Sequence, residues 1–168
     1  MSIWQFQRMV MLRLIAWGAA SIVTGTYLAR AQSKFWRGVG EQFVGWGFIN
    51  SLIALFGGSS SSYRMRNHPQ ALEPEYIEKE TTKLTRLLWL NAVLDVFYVA
   101  GGAFMALRHS SSRRMRGAGW GIIVQGAFLF VFDLVHALLA PPSQRSWRFW
   151  DYSHGEARAI KPVEPELE

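Results

Sequence analysis

The chain contains no cysteine, which excludes disulfides, thiolate metal sites and cysteine nucleophiles and leaves its redox compartment undetermined. Charged residues make up only 18% of the 168 positions. No P-loop, dinucleotide fingerprint, HExxH helix or nucleophile elbow occurs in a credible context. The loop from Arg108 to Arg116 holds no acid at all.

What is present is clustered. Half of the residues are hydrophobic, and they gather into four blocks separated by short charged stretches, each long enough or nearly so to cross a bilayer as a helix. The spans are read as about residues 14–29, 38–57, 87–107 and 117–140, which gives an all-α, integral membrane, antiparallel four-helix bundle over residues 1–140. Residues 141–168 are read as an interfacial aromatic segment, with Trp147, Phe149, Trp150 and Tyr152 among Arg145 and Arg148, followed by a mobile tail. Eight Trp suit a chain that meets the membrane interface, where one edge of the ring is wet. The net charge of +6 would suggest nucleic acid in a soluble protein. Here the basic residues adjoin apolar spans, so the expected partners are anionic lipid head groups, at Arg113, Arg114 and Arg116 above all, and no nucleic acid is expected.

In order, residues 1–13 read as an amphipathic lead-in at the interface. Ala29-Arg30-Ala31 resembles a signal-peptidase site, but the preceding span is long and carries a packing pattern, with Ser21 and Gly25 as a small-xxx-small pair. Glu41 at the entrance of the second span is expected to snorkel or pair with Arg37. On that helix Phe43, Trp46, Asn50, Ala54 and Gly57 share one face, expected to be packed. Gly57-Gly58 and Ser59 to Ser62 are expected to end it. The loop that follows carries Glu73, Glu75, Glu78 and Glu80 among bases, a solvated charge run, and from Pro74 a helix is expected to lead into the third span. Gly117 and Gly121 form a GxxxG pattern at the head of the fourth span, and Pro141-Pro142 stops it. Lys and Arg near the span ends are similar in number on both sides, so charge gives little direction. Both termini are expected in the cytoplasm.

The third span has a carboxylic acid near its midpoint, Asp95, and a charged group there is expensive unless paired or turned inward. At about 100° per residue, Asn91, Asp95, Tyr98 and Gly102 fall within about 60° of one another. On the fourth span Gln125, Leu129, Asp133 and His136 fall within about 80°. With the two spans antiparallel and a rise of about 1.5 Å per residue, the depths predict contacts of Asn91 or Asp95 with Asp133 or His136, and of Tyr98 with Gln125.

The second and fourth spans open alike, as Arg37-Gly38-Val39-Gly40 and Arg116-Gly117-Ala118-Gly119. Carried forward, the same offset pairs Gly47 with Gly126 and Leu55 with Leu134, as expected of two repeated helical hairpins in the same orientation. The combination of Asn91-x-x-Leu94-Asp95-x-x-Tyr98-x-x-x-Gly102, Gly117-x-Gly119 and Gln125-Gly126-x-Phe128-Leu129-x-x-x-Asp133 resembles an uncharacterised family of small bacterial membrane proteins with four predicted helices. Trp17 and the stretch from Trp46 to Asn50 look like that family's first half, so the resemblance covers roughly Trp17 to His136. Where the family pattern has an amide on the first helix, this chain has Ser21. The resemblance implies a multi-pass protein of a bacterial inner membrane and brings no activity.

Two readings of the polar cluster compete. In one, Asn91, Asp95, Tyr98, Gln125, Asp133 and His136 are interhelical glue in a structural or accessory module, an oligomer or a subunit of a larger complex. In the other they form a ligand or proton site of a small transporter or sensor. No catalytic residues, no metal site and no cofactor are expected: His136 next to Asp133 is only a fragment of such a site, and a single intramembrane His is slight support for haem. Gly102 and Gly126 are read as packing positions.

Overall fold

The computed structural model describes residues 1–109 and 111–141. Among them there are four helices and no strand: α1 Ile3–Ala29, α2 Lys34–Asn67, α3 Pro74–Arg108 and α4 Arg113–Leu139. Each is long and apolar enough to cross a membrane. The expected aromatic interfacial segment and tail lie outside the described residues, apart from Pro141.

Two boundaries differ from those read in the sequence. The lead-in is not a separate segment; it forms the first turns of α1 and packs into the bundle. There the Gln5 amide donates to Ser2 Oγ at 3.3 Å and the Ser2 amide to Gln5 Oε1 at 3.1 Å, a reciprocal cap that satisfies two otherwise orphaned donors. Its apolar residues Ile3, Trp4, Phe6 and Val10 are buried, and the Trp4 indole donates to the Ala71 carbonyl at 3.2 Å. α2 does not end at Gly57-Gly58 but runs on to Asn67. Tertiary contact outweighs the poor helix propensity of that stretch, because Gly57 packs on Met11 and the Ser61 hydroxyl bonds to Gln7. The connection is thereby cut to 68–73. As Pro74 implied, α3 begins at that proline and continues to Arg108.

Sequence neighbours pair first: α1 packs on α2 and α3 on α4, and the two hairpins meet along α2 and α4. Glycine makes these contacts possible. In the first hairpin a Cβ on Gly40 would meet the Gly25 carbonyl at 2.6 Å, and in the second a Cβ on Gly119 would meet the Gly102 carbonyl at 2.6 Å. Likewise Gly47 lies against Ile22 and Gly126 against Val99. Between hairpins, Gly38 abuts the backbone of Arg114 and Ala118, while Gly117 abuts the Phe35 carbonyl. Each contact has a counterpart once α2 is matched to α4 as Gly38 to Gly117 and α1 to α3 as Gly25 to Gly102, so the hairpins repeat one packing pattern about an approximate two-fold axis between α2 and α4. Because α2 and α4 both begin at this contact, they run parallel, although consecutive helices are antiparallel. At the opposite end the space is filled by larger side chains, among them Phe6, Leu14, Leu88, Leu129 and Phe132.

Adding a methyl group should separate the tight positions from the open ones. Gly38→Ala and Gly117→Ala place a Cβ against backbone of the facing helix and are expected to lower stability by about 1–3 kcal/mol through overpacking. Gly45→Ala and Gly101→Ala, where nothing lies within 4 Å, should raise it by about 0.5–1 kcal/mol through helix propensity. Thermal unfolding of the purified variants in detergent would reveal both signs.

Candidate functional site

Helical spacing sets which polar side chains turn inward. On α3 the buried positions are Leu88, Ala92, Asp95, Gly102 and Ala106, a stripe centred about 20° to one side of Asp95. Asn91 and Tyr98 fall on the other side of that centre. Asn91 is therefore exposed and Tyr98 remains 41% exposed. The expectation that Asn91 joins the cluster is corrected accordingly: it sits at the wrong edge of the buried face.

Asp95 is 3% exposed and Asp133 7%, and their carboxyl groups are neighbours between α3 and α4. Two carboxyl oxygens form a hydrogen bond only with a proton between them. Oδ2 of Asp95 has no amide or hydroxyl donor among the described residues. Asn50 on α2, 2% exposed, has an Nδ2 that likewise lacks an acceptor. A buried polar atom without a partner is uncommon and calls for a reason.

Gln125 is fully buried, but its partners are on α1 and not on α3. The Trp17 indole donates to Oε1 at 3.0 Å and Nε2 donates to Ser21 Oγ at 3.1 Å, while Trp17 stacks on Phe128 with ring centroids 3.5 Å apart. Tyr98 instead meets Trp46 of α2 edge-on at 4.8 Å. The predicted Tyr98–Gln125 contact is thus replaced by two cross-hairpin contacts, and these are equivalent under the repeat: Trp46 stands in α2 where Gln125 stands in α4, and Ser21 stands in α1 where Tyr98 stands in α3. Depth matching between adjacent spans cannot see this, since each side chain passes its neighbour to reach the other hairpin. Ser21 is accordingly a hydrogen-bond acceptor, whereas Gly25 packs on Gly40 and Val44.

His136 also faces α1. Arg13 approaches its Nε2 at 3.1 Å and the Phe132 carbonyl lies 2.6 Å from Nδ1, which assigns the ring proton to Nδ1 and leaves Nε2 as the acceptor. The ring lies against Phe132 and Phe6. With both nitrogens engaged, His136 offers no free lone pair to a metal or haem. Among the described residues no three His, Asp or Glu side chains gather as a metal set.

Two acids have partners other than those expected of them. Glu80, assigned to a solvated charge run, is 6% exposed and accepts from Arg64 at 2.9 Å and from Gln7 at 3.4 Å, tying α1, α2 and α3 together. Its place on the helical face of Leu84 and Leu88 was the available signal. Glu41 pairs with Arg114, which donates from Nε and Nη2 at 3.0 and 2.5 Å, and not with Arg37. That carboxylate raises the Arg114 pKa further above the ordinary arginine range. Arg114 is thus engaged within the bundle, and Arg116 lies over the Phe35 ring at 5.9 Å. Arg113 is exposed. Gly121 faces Gln42 and Val39 of α2.

A double-mutant cycle distinguishes the two geometries of Gln125. Trp17→Phe combined with Gln125→Leu should show a coupling of about 0.6 kcal/mol, and at most about 1.7, the range for polar contacts within membrane bundles. Tyr98→Phe combined with Gln125→Leu should show none. Thermal unfolding in detergent reads both cycles.

No match is found among curated proteins or solved structures. A family model described as a family of unknown function, DUF6992, matches residues 13–134, a segment that takes in most of α1, the whole of α2 and α3, and α4 through Leu134. The chain belongs to that family.

Proposed function

We propose that the chain is a multi-pass integral membrane protein whose Asp95–Asp133 pair is a proton- or ligand-coupled site of a small transporter or sensor. The membrane reading is supported by the apolar surface of the helices. Phe48, Leu52, Phe56, Phe97 and Phe104 are among many large side chains left exposed, Phe56 at 72%. An aqueous surface rarely tolerates a patch of that extent, whereas acyl chains suit it.

The observation that carries the site reading comes from the repeat. In the first hairpin the places equivalent to Asp95 and Asp133 are held by Gly18 and Ala54, and that hairpin closes through contact of Gly18 with Gly47 and Ser51. The packing pattern therefore does not need carboxyl groups there. Acids that the architecture can do without, buried where ionisation is expensive, mark a functional position.

A structural or accessory role, as an oligomer or a subunit of a larger membrane complex, is the second reading. It is favoured by the completeness of the Trp17–Gln125–Ser21 and Gln7–Glu80–Arg64 contacts, in which polar groups serve only to satisfy one another.

Infrared spectroscopy in ordinary and heavy water separates the readings. The coupled site is expected to give a protonated-carboxyl band that shifts within minutes of deuteration, because a working site must exchange with solvent. The band should be missing from the double variant Asp95→Asn, Asp133→Asn, whose melting midpoint should stay near that of the parent. A pair without that band, or one sealed against exchange, leaves the accessory role.

A further inference from the structure

A groove of about 500 Å³ opens between α1 and α2 at the end that carries the 68–73 connection. Its upper part is lined by Arg8, Arg66, Ser59 and Ser62, and its lower part by Met11, Leu12, Ile15 and Leu55. No acid lines it. Among the described residues neither Arg8 nor Arg66 has a carboxylate partner, in contrast to Arg64 and Arg114. Its floor is low because Gly58 has no side chain to set against Met11.

We propose that this groove is a binding site for one anionic phospholipid. The arrangement matches the molecule from end to end: guanidinium and hydroxyl donors at the level of a phosphodiester, then an apolar wall descending toward mid-bundle for an acyl chain. Two unpaired cations favour a head group with net negative charge, since the ammonium of a zwitterionic lipid would be brought up against Arg8 or Arg66. Guanidinium groups suit such oxygens because they donate in a planar fork. The site lies at the opposite end of the helices from Arg113 and Arg116, where the sequence placed head-group contacts. It rests on the membrane-spanning reading but not on any role of the Asp95–Asp133 pair.

The test is native mass spectrometry of the full chain extracted from bilayers of phosphatidylcholine mixed with phosphatidylglycerol. The parent protein is expected to retain phosphatidylglycerol in preference to phosphatidylcholine. That preference should fall about tenfold or more in the Arg8→Gln, Arg66→Gln variant, given about 1 kcal/mol for each arginine near an anionic surface. It should persist in Arg113→Gln, Arg116→Gln. Gly58→Leu, whose Cβ meets Met11 Cβ only at an ordinary 3.6 Å, should block the groove and lower retention while the protein still melts cooperatively. Equal retention of both lipids by the parent, or a preference unmoved by the Arg8 and Arg66 changes, overturns the assignment. So does stabilisation by inorganic phosphate alone equal to that given by the lipid, since the apolar wall would then have no role. Recovery of the chain from cells without detergent would instead overturn the membrane reading beneath it.

Discussion

The close approach of α2 and α4 at Gly38 and Gly117 is the constraint from which the rest of the arrangement follows. A backbone carbonyl occupies the space where a Cβ would stand, so the two helices touch through their main chains at the ends where both begin. On the membrane-spanning reading no hydrophobic force draws the apolar helices together, and close van der Waals contact at small residues takes its place. Since the same glycine pattern also closes each hairpin, one interaction type, used three times, fixes both the pairing within hairpins and the junction between them. The other end cannot be equally tight. It is filled by Phe6, Leu14, Leu88, Leu129 and Phe132, and the additional turns of α1 supply part of that volume.

The repeat explains why polar groups meet where they do. Long side chains cross from one hairpin to the other at equivalent points: Gln125 to Ser21 and Trp17, and Trp46 to Tyr98. One crossing is polar and the other aromatic, so the scaffold fixes the crossing and leaves its chemistry free. The carboxyl pair departs further from symmetry, because its counterparts, Gly18 and Ala54, are small and apolar. Among the described residues the buried ionisable groups, Glu80, Asp95, Asp133 and His136, all lie in the second hairpin.

The four helices were legible because apolar clustering survives any ambiguity about their ends, and the repeat was legible because glycines spaced along α2 and α4 have few substitutes at a backbone contact. The ends were less so. Gly57-Gly58 and the serine run are poor helix formers taken alone, and only their contact with Met11 and Gln7 holds them in α2. The inward position of Asp95 followed from its cost in lipid, but a stripe of four residues, Asn91 to Gly102, could not locate the centre of the buried face to better than about 40°. That was enough to misplace Asn91. Glu80 escaped notice because four glutamates in one stretch read as solvent-facing unless the register of the helix beyond Pro74 is carried back to them.

α4 is the element on which these features converge. It holds Asp133 toward α3, and about 70° around its surface it holds Gln125 and His136 toward α1. Those two residues are bound to Trp17, Ser21 and Arg13, all on α1. On the proposed reading, departure of the proton shared with Asp95 would leave two carboxylates facing each other and push α3 and α4 apart. The N-terminal end of α4 is pinned to α2 by backbone contact and cannot follow. Its C-terminal half, beyond Gly126, is held by larger and more deformable side chains and can. The movement would then reach α1 through His136 and Arg13, a coupling between hairpins that passes along a single helix.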